Sequence, residues 1–293
     1  MEINFMLPDF LTGDKCYSLL LSLYKERPEI FRDGRKIGAL YGSFPGMIWN
    51  GGSGFGEYHI YSMERVAATF KKWNEQGIQI VLTCTNPVLK KYHLFDTYCN
   101  NILSELNKTK GNAVLVSADL MEEHIRENFL NVDIYKSIIG TEEKNYYKSY
   151  NRSVLARRCN TNLDKIPIED RDKLEILCND PCPDNCPNIY EHYNAYGRMM
   201  LRQNFSDKEY QCIYRDKRSK FKWEELRTIA KNTFISPDKI DDLAQLGYKW
   251  FKISGRWSPS AIIVFSIEYL IKPEFVPDVM MLAINEYVER NII

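Results

Sequence analysis

The chain has 293 residues, 44% of them hydrophobic and 27% charged, which is ordinary globular composition and enough to build a large core. Its 39 basic and 39 acidic residues cancel, so no global field draws it to nucleic acid or to an anionic membrane. The opening residues, M-E-I-N-F-M-L-P-D-F, hold neither a basic region nor a long apolar run, and they do not read as a secretion signal.

Runs such as Ala261 to Phe265 are too short to span a bilayer. The expectation is a cytoplasmic protein with no membrane partner. Its eight cysteines are then core, metal-binding or catalytic residues rather than disulfides.

In chain order, Tyr17 to Tyr24 is apolar at helical spacing, with Asp14 as a candidate cap and Pro28 as the stop. Lys36 to Phe44 reads as a buried strand. The glycine-rich loop after it, Pro45 to Gly56, lacks the Lys-Ser/Thr ending of a phosphate loop and reads as a lid or wall. A helix follows over Ser62 to Gln76, then a strand over Ile78 to Thr85 and a helix around Leu94 to Lys108. The strand Ala113 to Ser117 precedes a helix over Met121 to Asn128. Val132 to Ile139 is a strand, Glu142 to Tyr150 a short helix and Ser153 to Arg157 a weaker strand.

Leu174 to Cys178 is a short apolar strand. Its loop carries Pro181, Cys182, Pro183, Cys186 and Pro187, and a helix runs from about Asn188 to Arg202. Asn204 to Lys231 is an irregular, charged insertion. Thr233 to Ile235 reads as a short strand, with a helix opening near Asp238. The last strand is Tyr248 to Ile253, followed by helices over Ser260 to Leu270 and Val276 to Arg290.

Strand then helix, repeated about eight times without a hairpin, predicts a single-domain (β/α)₈ TIM-like barrel. A doubly wound open sheet is the alternative. In a barrel, function sits where the strands end, which here means Phe44, Asn86, Ser117, Cys159, Asn179, Cys182 and Arg256.

Two stretches resemble a known family. L-E-I-L-C-N-D-P-C-P-D-N-C-P-N-I-Y-E-H-Y, ending at Tyr193, resembles a strand-and-cysteine segment of the collagenase-like peptidases, peptidase family U thirty-two. Gly247 to Arg256 resembles that family's final-strand motif G-x-x-x-x-K-I-E-G-R, with Lys252, Gly255 and Arg256 matching. Ser254 stands where the family has glutamate, so no carboxylate role carries over to it. The resemblance implies a TIM-like barrel. It points less to the peptidases than to a branch similar to oxygen-independent hydroxylation proteins of quinones or RNA bases, which carry a four-cysteine 4Fe–4S cluster.

Strand alternation sorts the candidate residues. Phe251 and Ile253 belong outside against helices, whereas Lys252, Ser254 and Arg256 point into the barrel. Glu175 faces inward and is a candidate partner for these buried cations. Arg256, the outermost, is either a salt-bridged interior residue or an anion clamp. Asn179 shares the inner face at the strand end.

Cys178 falls on the outward face and reads as core, as do Cys16, Cys84 and Cys99 within or beside regular elements. Cys159, Cys182, Cys186 and Cys212 remain in or near loops, and four thiolates suit either a 4Fe–4S cluster or structural zinc. The resemblance favours iron–sulfur. A radical-SAM reading fails, because the run is C-x₃-C-x₃-C and follows what counts as the sixth strand.

His192 is a candidate acid or base near neutral pH, or an ordinary half-exposed histidine. His59, His93 and His124 form no metal-binding spacing. Cys182 or Cys186 with His192 could mimic a protease pair, but the flanking prolines suit a rigid ligand loop better. Arg215 to Trp223 mixes basic and aromatic residues as nucleic-acid surfaces do, though such a stretch is more often a solvated loop.

Three functions follow as expectations. The first is an iron–sulfur, hydroxylase-like oxidoreductase acting on a small molecule or a nucleobase. The second is a peptidase. The third is a non-catalytic barrel with structural zinc that works with a protein partner.

Overall fold

The computed structural model describes residues 2–51, 60–141, 150–180, 182–183, 186–202, 228–230, 233–256 and 258–288. Eight parallel strands close into a barrel in sequence order. They are β1 Ile3–Pro8, β2 Arg35–Gly42, β3 Gln79–Cys84, β4 Ala113–Val116, β5 Asp133–Lys136, β6 Arg152–Val154, β7 Leu174–Leu177 and β8 Trp250–Lys252. Between and after them run α1 Asp14–Glu26, α2 Met63–Asn74, α3 Thr97–Leu106, α4 Asp119–Asn128, α5 Ile138–Thr141, α6 Ile189–Arg202, α7 Ile240–Gln245, α8 Pro259–Leu270 and α9 Val276–Val288. Among the described residues, no helix is long and apolar enough to cross a membrane.

Alternation builds two cores from one sheet. Outward residues such as Phe5, Ile80, Val114, Ile176 and Phe251 join the helices in the larger core. Inward residues such as Met6, Tyr41, Val81, Leu115, Tyr135 and Leu177 fill the barrel itself. The lower end of the barrel is plugged where Trp250 and Asn4 crowd Gly38, since a Cβ there would stand 2.9 Å from both side chains.

The predicted barrel is therefore present, but its strands are not all those expected. The first strand is Ile3–Pro8, within the segment read only for a leader. All six of its residues are buried, as in a parallel strand covered on both faces. It closes the ring by pairing with both β2 and β8.

The expected strand at Thr233 to Ile235 is not one. The edge of β7 is already taken by β8, which pairs Phe251 with Ile176. Ile235 makes a single backbone bond there, from its N–H to the Cys178 carbonyl at 2.8 Å, while its own carbonyl accepts from the Tyr269 hydroxyl at 2.5 Å. The cysteine loop thus follows the seventh strand, not the sixth.

Smaller corrections concern ends. The strand expected to reach Ile139 stops at Lys136, because Ile138–Thr141 turns helical. The strand expected to reach Arg157 ends at Val154, and Arg157–Thr161 forms a 3₁₀ turn. Asp14 is the first residue of α1 rather than its cap, which is Gly13. The helix expected over Glu142 to Tyr150, nearly all of the insertion 204–231 and the basic stretch at Arg215 lie outside the described residues.

Candidate functional site

The charged side chains inside the barrel cluster on its β6–β8 side. Glu175 on β7 is wholly buried, and neither carboxylate oxygen has a hydrogen-bond partner. Its neighbours in charge are Lys252 on β8 and Arg152 on β6. Burial raises the Glu175 carboxyl above its usual value, and the two cations oppose that rise. Burial likewise lowers the Lys252 ammonium; Glu175 resists this, while Arg256 and Arg152 add to it.

Aromatic faces hold the cations in place. The Lys252 Nζ lies 3.8 Å from the centroid of the Tyr41 ring and 3.4 Å from Met6 Sδ. The Arg152 guanidinium lies 3.1 Å from the Trp250 centroid and 4.4 Å from that of Tyr135. Alternation had placed Glu175 and Lys252 here. Arg152 was missed, although it sits two residues before the inward Val154 and the same rule would have found it.

Above this cluster, at the carboxyl ends of the strands, Arg256 lies half-buried. Its guanidinium donates to Asn50 Oδ1 at 3.3 Å, Thr83 Oγ1 at 3.2 Å and the Gly51 carbonyl at 3.3 Å. All three acceptors are neutral, and among the described residues no carboxylate pairs with it. Thr83 and Asn50 are themselves joined by a 2.9 Å bond. Gly51 belongs to the glycine-rich loop, whose described part is a wall: the buried Trp49 donates to the His93 carbonyl at 2.8 Å. Gly51 packs so tightly on Thr85 that a Cβ would overlap the Thr85 carbonyl. Residues 52–59, with His59, lie outside the described residues.

Both ends of the Asn179 amide are engaged by backbone. Its Nδ2 donates to the Ser254 carbonyl at 2.9 Å and its Oδ1 accepts the Ser254 N–H at 2.6 Å, so it ties the ends of β7 and β8 together. Asn160 does related work, donating to the carbonyls of Leu177 and Thr233 at 2.9 and 2.7 Å.

The helix after β7 crosses the mouth. Near its start, the Tyr193 hydroxyl accepts from Arg157 Nη2 at 3.0 Å, and the same nitrogen holds Asp180 at 2.6 Å. One turn later, Asn86 beyond β3 donates to the Gly197 carbonyl at 3.1 Å. Strands β6 and β3 are not neighbours in the ring, so α6 lies across the top of the barrel. Gly197 permits the approach: a Cβ would overlap Asn86 Oδ1 and stand 2.9 Å from Val88 Cγ2. His192 is on this helix, half-buried, its ring 4.8 Å from that of Tyr196 and 6.1 Å from that of Tyr193.

The cysteines divide as alternation requires. Cys16, Cys84, Cys99 and Cys178 are fully buried in the outer core, and burial drives each thiol up. Cys159 lies in the 3₁₀ turn after β6, partly buried against that core. Cys182 is buried in the loop after β7 and Cys186 is half-buried before α6. These three share the carboxyl edge of neighbouring strands. Among the described residues, no three His, Cys, Asp or Glu side chains gather closely enough to hold a metal ion. The described cysteines alone therefore do not form a cradle for a cluster, and Cys212 lies outside the described residues.

No protein-family model matches the chain, and no curated protein matches it.

Proposed function

We propose that the protein is a barrel enzyme that takes a small anionic molecule or a nucleobase into the carboxyl-end mouth beneath α6, with Arg256 as the anchoring cation. The observation that carries this reading is the environment of Arg256. The half-buried guanidinium has three bonds of 3.2–3.3 Å to neutral oxygens and the Tyr41 ring 5.4 Å away, but no carboxylate among the described residues, and a bidentate oxyanion would supply the missing charge. Below it, the Glu175 and Lys252 pair supplies a carboxylate and an amine whose proton affinities burial drives toward each other, the condition for acid–base work near neutral pH. Helix α6 would exclude water from that space.

The test is a thermal-shift screen of small acids, phosphates, nucleosides and nucleobases on wild-type protein and on Arg256→Met. A ligand that raises the melting temperature of the first and not of the second supports the reading. Equal shifts in both would overturn it.

A second reading adds the 4Fe–4S cluster, on Cys159, Cys182, Cys186 and Cys212. It is favoured by the common strand edge of the described cysteines and by the family resemblance. When bound, such a cluster would supply electron transfer. Iron, sulfide and zinc counts after anaerobic purification test it. Loss of metal in Cys182→Ala and Cys186→Ala, with retention in Cys178→Ala, is the expected pattern. A metal-free wild type would sink it, and zinc in place of iron would favour a structural site.

A further inference from the structure

A cavity of about 310 Å³ opens between the ends of β4 and β5, the start of α4 and the underside of α6. It is separate from the surroundings of Arg256, and six of its wall residues carry the argument: Ser117, Asp119, Lys136, Gly140, Tyr190 and Asn194.

Lys136 is the unexpected one. It ends β5 on the outward, helix-facing side, yet its side chain is only 3% exposed. Its one ion-pair partner among the described residues is Asp119, 3.3 Å away and itself 91% exposed. The Tyr150 ring centroid lies 5.2 Å from the ammonium, and a solvated carboxylate neutralises a buried cation less than a buried one would. Its path depends on Gly140, where a Cβ would stand 2.7 Å from Lys136 Cε and 2.9 Å from the Ser117 carbonyl.

Two further groups are short of partners on the same wall. The Ser117 Oγ is buried with no hydrogen-bond partner. Helix α4 begins at Asp119 with Ala118 at its N-cap, whose methyl cannot accept a hydrogen bond, so the cap gives the first amides no side-chain acceptor. Cation, hydroxyl and helix N-terminus thus converge on one space in which the exposed Asp119 is the one carboxylate among the described wall residues. Opposite them, Tyr190 and Asn194 of α6 offer an aromatic face and an amide.

We infer that this cavity is an oxyanion site that takes the carboxylate or phosphate group of a small ligand between Lys136, Ser117 Oγ and the start of α4. Asp119, already 91% exposed, is the competing anion that the ligand displaces from Lys136. The site does not depend on Arg256.

Calorimetric titration with inorganic phosphate and, separately, acetate tests it on wild type, Lys136→Met, Asp119→Asn and Arg256→Met. The expected results are weakening of about tenfold or more in Lys136→Met, and tightening of a fewfold in Asp119→Asn, where the competitor is gone. Arg256→Met keeps this binding, which separates the site from the proposed substrate clamp. The anion that binds more tightly names the ligand's acidic group. Because Asp119 is exposed, its variant folds whatever becomes of Lys136→Met. No binding of either anion at about 10 mM, or weaker binding in Asp119→Asn, would overturn the inference.

Discussion

The two sides of the barrel interior are built differently. On the β2–β4 side the inward residues Ala39, Val81, Ala113 and Leu115 are buried and apolar, and Tyr41 and Thr83 beside them are buried and uncharged. On the β6–β8 side they include Arg152, Glu175 and Lys252, buried to nearly the same degree but charged. The first side needs only shape, and each methylene there contributes through burial. The second carries three ionisable groups, and such a set gains little net stability over well-packed apolar residues. Uncharged packing suffices on one wall of the same ring, and the charge on the other is what the proposed acid–base chemistry would use.

The comparison breaks most sharply at Glu175. Glu175→Gln keeps the shape and removes the charge that balances Lys252 and Arg152, so a loss of roughly 3 kcal/mol is expected in urea denaturation. A loss within error would mean that the two cations do not need it. The lid comes next. Gly197→Ala should cost about 1–3 kcal/mol, because the helix must lift from Asn86 and Val88. It should also raise proteolytic cleavage near α6.

Lys252 sharpens the contrast through pH. Its folded value is lowered from the ordinary 10.5, so across that window the unfolded chain binds more protons than the folded one. Stability contributed by this group therefore rises with pH there and is lost as pH falls through the folded value. Lys252→Met should remove that part of the slope, which for one proton is at most about 1.4 kcal/mol per pH unit. Denaturation midpoints of both proteins from pH 8 to 10 check it; parallel curves would contradict it. A smaller effect is expected on the outer, helix-facing side of the sheet, where Cys178→Ala should cost about 1 kcal/mol by leaving a small cavity. Its melting curve should otherwise match wild type.

How far these features could be read from the sequence depended on whether they were local. Alternation within single strands put Glu175, Lys252 and Arg256 inside and Cys178, Phe251 and Ile253 outside, because the period of two survives whatever the neighbouring strand is. The strand Ile3–Pro8 was missed because a six-residue, mostly apolar stretch carries no clear period, and only its burial between β2 and β8 marks it. Thr233 to Ile235 misled for the converse reason: its β-branched residues suit a strand, but no edge was free. The path of α6 could not be read at all. Its sequence is that of any amphipathic helix, and the contacts of Gly197 with Asn86 and of Tyr193 with Arg157 join segments far apart in the chain.

On the proposed function, Arg256 serves a ligand and not the fold. Its three bonds are long, end on neutral acceptors and are partly open to solvent, so Arg256→Met should change stability by less than about 1 kcal/mol. The decisive measurement is the melting temperature of wild type and Arg256→Met, each with and without the best anionic ligand from the screen. Equal melting temperatures without ligand, and a ligand-induced rise confined to wild type, are the predicted result. A variant that melts far lower alone yet gains the same rise with ligand would show that Arg256 belongs to the fold, and the account would be wrong.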